Sequence, residues 1–229
     1  MLLTVLIKMA LSRRDAAEPL MVRLARHKCD FIKIGDLIDR RYRILDFIGA
    51  GGASCVYLAE HIHTKRKVAL KILRPDVRKL HPSAMKYFKE EAGRMPDDPN
   101  VVEVYDAGVD EERDLAYIAM EYCPQTLRKL LSKARKEELI MILVEVAKAV
   151  ARLHDRGVVH LDLKPENILV NKEGVPKICD FGFAKFKAET YSVLTTIWGT
   201  PVYTAPEVWG GEYSEKSDVY SLGVILTEI

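Results

Sequence analysis

A single change of hydrophobic period partway along the chain constrains its fold more than any other feature. Tyr42 to Ile48, Ser54 to His61 and Lys67 to Leu73 are β-rich runs separated by glycine or charged turns, the pattern of an antiparallel meander. Ser83 to Met95 reads as a helix, with Ser83 as a candidate N-cap and Pro96 as its stop. Strand-like runs at Val101 to Val109 and Leu115 to Glu121 complete a five-stranded unit with one main helix. Past Pro124 the period lengthens: Leu139, Leu143, Val146, Val150 and Leu153 recur at helical spacing. Short extended pieces follow at Ile168 to Val170 and Lys177 to Cys179. The expectation is an α+β chain in two parts, residues 35–123 and a mostly helical 124–229, preceded by an extension over 1–34.

Composition narrows the function classes. With 229 residues, 48% hydrophobic and 30% charged, the chain has enough apolar material for one or two packed cores. The 35 Lys and Arg against 33 Asp and Glu leave a net charge of +2, which gives no reason to expect a nucleic-acid partner or an anionic membrane. The apolar start, Met1 to Leu11, is far shorter than the roughly 20 residues that span a bilayer. Arg13 and Arg14 follow it, the reverse of a secretory signal. Residues 1–30 read as a frayed or loosely docked helix, with Met21 as an alternative start; an interfacial membrane helix is disfavoured because no clean polar face exists. Cys29, Cys55, Cys123 and Cys179 lack paired spacing, so neither a disulfide framework nor a zinc site is expected, and a reducing, cytoplasmic setting fits. Val219 to Ile229 is apolar on nearly every side, so a buried helix is expected there. Nothing follows it as cover, and the expectation is a chain that stops within a core.

The chemistry concentrates in a few short segments. Gly49-Ala50-Gly51-Gly52-Ala53-Ser54-Cys55-Val56 lies between two strand-like runs, where small residues let backbone N–H groups approach phosphate oxygens. Alone, such a cluster is more often merely a turn. Lys71 ends Val68-Ala69-Leu70-Lys71, and a strand lysine flanked by apolar residues is costly to bury unpaired. Glu91, with Glu90 as fallback, or nucleotide phosphates would be its partner. His160-Leu161-Asp162-Leu163-Lys164-Pro165-Glu166-Asn167 sets an acid, a base and an amide close together, and Asp180-Phe181-Gly182 follows. Asn167 and Asp180 are oxygen donors that suit Mg²⁺, which takes few protein ligands. Asp162 could accept the proton of an attacking hydroxyl.

This ordered series resembles that of eukaryotic-type protein kinases, over roughly Tyr42 to Ile229. The resemblance implies a two-lobed fold, ATP and Mg²⁺ as cofactors, and phosphoryl transfer to protein hydroxyls. It implies that Ile48, Gly49, Ala50, Gly51, Gly52, Ala53, Ser54, Cys55 and Val56 cover the nucleotide. Lys71, paired with Glu91, would hold the α- and β-phosphates. Val56, Ala69 and Leu169 would sandwich the adenine, whose edge would meet the backbone of Met120, Glu121 and Cys123. Asp162 would orient the substrate hydroxyl, Lys164 would neutralise charge on the transferred group, and Asn167 and Asp180 would hold the metal. Asp162 to Asn167 and Gly199-Thr200-Pro201-Val202-Tyr203-Thr204-Ala205-Pro206-Glu207 resemble serine/threonine rather than tyrosine kinases. Gly51-Gly52 and the segment from Gly35 to Tyr42 are similar to bacterial members.

Several positions depart from the family pattern. Leu161 stands where many members have an arginine that grips a phosphorylated activation loop, so Thr195 and Thr196 are not expected to act as the usual phosphate switch. Ser54 replaces the third loop glycine. Glu207 would lack the arginine that normally pairs with it in a later helix. His160 is expected as a packed residue beneath Phe181, and Cys179 as a small hydrophobe rather than a reactive thiol. Two other functions stay open at this stage: an inert kinase-like binding module, and a phosphotransferase acting on a small molecule.

Overall fold

The computed structural model describes residues 29–81, 83–181 and 201–229. Its first sheet has six antiparallel strands in the order β1-β2-β3-β4-β6-β5. They are β1 (Leu37–Ile38), β2 (Tyr42–Ala50), β3 (Ser54–His61), β4 (Lys67–Leu73), β5 (Val104–Asp110) and β6 (Leu115–Glu121). The expected count was five. The extra strand, β1, is two residues long, too short to show a period, and joins β2 through a turn in which Asp39 and Arg40 both have positive φ.

Side-chain parity in the central strands decides where the chemistry points. Val68, Leu70 and Ile72 of β4, with Leu115, Tyr117 and Ala119 of β6, enter one core alongside Ile44, Tyr57 and Ala59. Ala69 and Leu73, with Ala116, Ile118 and Met120, enter a second core against Ala84 and Phe88. Both faces of β4 are therefore covered, which explains its unbroken burial from Val68 to Leu73. Lys71 shares the parity of Ala69 and Leu73, so it must lie on the second face. That face is covered by α2 (Ala84–Arg94), which follows a short α1 (Pro75–Leu80). The sequence reading has no helix at α1, although Pro75 at its start and Asp76 in its first turn are regular helix-start residues. Ser83 occupies the N-cap of α2 but makes no side-chain capping bond.

The first core also takes in Cys29 and Ile32, which lie in the segment expected to be an extension. Cys29 and Cys55 form a disulfide, with Cα atoms 6.0 Å apart. This corrects the expectation of unpaired cysteines and removes the cysteine argument for a reducing setting. The pairing is tertiary: the segment before β1 folds back over β3, and no spacing rule anticipates that.

The second part contains β7 (Gln125–Thr126), β8 (Ile168–Val170) and β9 (Pro176–Ile178) in a small antiparallel sheet. Its helices are α3 (Leu127–Leu130), α4 (Lys136–Asp155), α5 (Pro206–Trp209) and α6 (Glu215–Thr227), with a 3₁₀ turn at Pro201–Tyr203. Leu139, Ile142, Leu143, Val146, Val150 and Leu153 of α4 pack on Leu163, Ile168, Ile178 and Ile225. At about 0.8 kcal/mol per buried methylene, burial of this stripe stabilises the second part. Two main-chain bonds splice the parts together: Ile178 N–H donates to Asn100 O at 2.7 Å, and Val102 N–H to Ile178 O at 2.9 Å. Val101 pairs there with Ile178, which is why the strand expected from Val101 begins only at Val104.

Helix α6 differs from expectation. Ser214 caps it through a capping box with Ser217, and the residues it buries are Ser217, Asp218, Ser221 and Ile225, whereas Val219 is 59% exposed and Leu226 54%. The helix turns these polar residues inward because each has a partner there: Asp218 accepts backbone N–H groups of the loop after α4, Ser221 Oγ donates to Tyr203 O, and Ser217 Oγ donates to the Glu207 carboxylate. Glu207 is not unpaired either, since Ser217 Oγ donates to its Oε1 at 2.8 Å.

Candidate active site

The β2–β3 hairpin carries the glycine segment. Gly49 pairs with Val56 and Ala50 with Cys55, and Gly51 N–H closes the turn on Ser54 O at 2.8 Å. A Cβ built on Gly49 meets nothing within 4 Å, and one on Gly51 only ordinary contacts at 3.8 Å. The φ angles of both lie outside the left-handed region. Gly49 therefore borders open space beside the turn, and neither glycine serves a positive-φ backbone need. Ile48 is exposed, while Ala53 and Ser54 are buried.

Lys71, on the face fixed by strand parity, reaches two carboxylates. Its Nζ lies 2.6 Å from Glu91 Oε1 and 2.5 Å from Asp180 Oδ1. Glu90, the fallback, faces Lys86 at 3.9 Å on the surface instead. Burial alone would lower the Lys71 ammonium, but the charges of Asp180 and Glu91 hold it well above its ordinary value. Burial pushes the Glu91 carboxyl up despite Lys71, and its side chain is only 1% exposed. Asp180 goes the other way. Burial opposes its charge, yet the Lys71 charge and hydrogen bond keep it below the usual carboxylate range, and 38% of its side chain meets solvent.

The loop after α4 presents the second cluster. Lys164 Nζ donates to Asp162 Oδ2 at 2.9 Å, and Asn167 Nδ2 to the same oxygen at 3.0 Å and to Asp162 O at 2.9 Å. Burial would lower Lys164, but the adjacent Asp162 charge raises it, so it stays a cation. His160 is 1% exposed and stacks edge-on against Phe181, with ring centroids 4.7 Å apart. Its Nδ1 accepts from the Asp162 N–H at 3.2 Å, which assigns the proton to Nε2, 2.9 Å from Cys179 O. It is a packed residue, as expected, and it ties the Asp162 loop to the strand leading to Asp180. Burial pushes the Cys179 thiol well up, so it is no thiolate.

Val56, Ala69, Met120, Cys123 and Leu169 meet in one apolar cluster between the two sheets. Burial pushes the Cys123 thiol up to about 12. The Glu121 side chain turns to the second part, with its Oε2 3.0 Å from Lys177 Nζ and its Oε1 accepting from Asn171 at 3.3 Å. Gly182, Thr195, Thr196, Gly199 and Thr200 lie outside the described residues.

Two residues of the site escaped the sequence reading. Asp218, from α6, accepts the N–H groups of His160 and Leu161, both at 2.8 Å, and lies 2.9 Å from His154 Nε2. The one signal was an acid in an apolar helix, which must find donors. Arg128, from α3, donates to Glu166 at 2.8 Å, to Glu228 at 2.5 Å and to the Tyr203 hydroxyl. Nothing in its local sequence marks it.

Comparison with known proteins agrees with this geometry. The protein kinase domain model matches residues 42–229. The chain is 38% identical over 203 residues to serine/threonine-protein kinase PrkC of Bacillus subtilis, covering 86% of this chain and 31% of that protein. It is 38% identical over 200 residues to serine/threonine-protein kinase PknB of Mycobacterium leprae, covering 82% and 32%. The chain thus spans about a third of the length of these curated relatives. A buried lysine between two carboxylates, an aspartate-lysine-asparagine loop beside it and a match over four-fifths of the sequence are hard to assemble in any other way, and residues 42–229 belong to the protein kinase domain family, alongside its bacterial serine/threonine members.

Proposed function

We propose that this chain is an ATP-dependent kinase that transfers the γ-phosphoryl group to serine or threonine hydroxyls of proteins. The observation that carries this reading is the buried ammonium of Lys71 shared between Glu91 and Asp180. It places a fixed cation at the meeting point of the glycine turn, α2 and the segment after β9. ATP supplies the phosphoryl group, and Mg²⁺ offsets the charge on its phosphates.

The residues fit those groups. Open space at Gly49 and the exposed, side-chain-free Gly51 leave room for phosphates, and Val56, Ala69 and Leu169 form the apolar walls of an adenine slot, with the Met120 to Cys123 backbone at its edge. Asn167, with its Nδ2 committed to Asp162, has its amide oxygen to offer a cation, and ionised Asp180 is the second donor. Asp162 takes the hydroxyl proton, and Lys164, 2.9 Å from it, balances charge on the transferred group. The lobes we assign are residues 35–123 and 124–229. No described helix is long and apolar enough to cross a membrane. ATP dependence is what supports a cytoplasmic placement.

The test uses the 229-residue chain. Mg-ATP should raise its melting temperature, and phosphate should appear on serine and threonine of a basic acceptor protein. Asp162→Asn should keep the thermal stabilisation and lose transfer by about 10²-fold or more. Binding without transfer in the wild-type chain would instead identify an inert nucleotide-binding module.

A further inference from the structure

Arg74 follows β4 and is 7% exposed, yet the nucleotide site as described gives it no task. Its backbone N–H donates to Ala53 O at 2.9 Å, and its Nη1 to Gly52 O at 3.1 Å. One residue thus holds two successive carbonyls at the tip of the β2–β3 turn. The guanidinium is itself fixed by Asp76 in α1: Nε donates to Oδ1 at 3.0 Å and Nη2 to Oδ2, a two-pronged arrangement that sets its plane.

Peptide planarity gives this grip a direction. In a trans peptide the C=O and N–H point opposite ways. Turning Gly52 O toward Arg74 therefore aims the Ala53 N–H away from it, to the other side of the turn. Gly51 and Gly52 are exposed and carry no side chain, so on the Gly52 side it is Arg74 that sets this peptide, while Ala53 on the other side packs into the second core. An isolated turn of this composition would let the plane rotate.

We propose that Arg74 is a positioning residue for nucleotide binding, locking the Gly52–Ala53 peptide so that its amide faces the phosphates. This rests on the proposed function. Arg74 touches no nucleotide; it acts through the backbone of the turn, and Asp76 acts through Arg74.

Steady-state kinetics of the 229-residue chain test this. Arg74→Ala should raise KM for Mg-ATP about tenfold while KM for the acceptor protein stays within about twofold. Hydrogen exchange at residues 51–54 should quicken in the presence of Mg-ATP. Arg74→Lys keeps the charge but cannot hold both Gly52 and Asp76, so it should fall between wild type and Ala. Asp76→Asn should move KM for Mg-ATP the same way by a smaller factor. If Arg74→Ala does not fold, these two variants decide the matter by the same split. An unchanged KM for Mg-ATP, or equal rises in both KM values, overturns the inference while leaving the kinase reading intact. A wild-type chain that neither binds Mg-ATP nor transfers phosphate overturns both.

Discussion

The backbone N–H of Leu161 donates to Asp218 Oδ1 at 2.8 Å, and Leu161 has a φ of 65°. A branched side chain in the left-handed region is strained, and such strain persists only where its surroundings impose it. Asp218, 1% exposed, is what imposes it here.

Removing that carboxylate should therefore be severe. Asp218→Ala strands the buried donors of His160 and Leu161, and we expect a loss of about 3 kcal/mol in urea unfolding, with Asp218→Asn losing less because one acceptor remains. A loss below about 1 kcal/mol would show that water replaces the carboxylate.

Lys71→Met should abolish transfer more completely than it destabilises the fold. It leaves Glu91 and Asp180 facing each other without their shared cation, and a drop of at least 10²-fold in phosphate transfer is expected. Glu91→Gln keeps Lys71 and one carboxylate and should cost less. Transfer rates measured at saturating Mg-ATP check the ordering.

Asp98 offers a pH test. Arg152 grips its carboxylate with two bonds of 2.8 Å, and the side chain is fully buried. The hydrogen bonds and charge of Arg152 hold its pKa below the ordinary value against burial. The unfolded state therefore binds the proton more readily, and stability rises with pH through this window. Wild type should exceed Asp98→Asn by about 2 kcal/mol at pH 7. That gap should be complete above about pH 4 and shrink as pH falls through the depressed folded value. Urea titrations at pH 7 and pH 3 read it; a gap that does not narrow would assign the effect to packing.

Reduction should lower the melting temperature. The Cys29–Cys55 bridge closes a loop with a sequence separation of 26, which constrains the unfolded chain by about 3 kcal/mol. For a domain of this size that is roughly 10 °C. Dithiothreitol should produce the shift in wild type and none in Cys29→Ser. Identical melting with and without reductant in wild type would show that the bridge adds no stability.

Much of the fold was legible because strand parity and helix period are local. The runs at Ser54–His61, Lys67–Leu73, Leu115–Glu121 and Ile168–Val170 coincide with strands, and the α4 stripe with its core. Lys71, Asp162, Asn167 and Asp180 stood out because they lie in an ordered series of motifs that resembles a known family, and the structure brings Lys71 to Asp180 and Asn167 to Asp162. Asp218, Arg128 and Arg74 were not. Each acts on backbone or on carboxylates brought near only by tertiary structure, and a single charged residue in a helix or at a strand end has no pattern that distinguishes it from a solvated one. The Cys29–Cys55 bridge and β1 escaped for the same reason. Helix α6 misled in the opposite direction, since its apolar residues concealed a polar face that supports a loop.

The main-chain splice between Asn100, Val102 and Ile178 has a consequence for the charge cluster. Asp180 stands two residues beyond it, so the carboxylate that meets Lys71 is tethered through backbone to the same segment that leads into β5. Its place beside Lys71 is thus set by main chain as well as by charge.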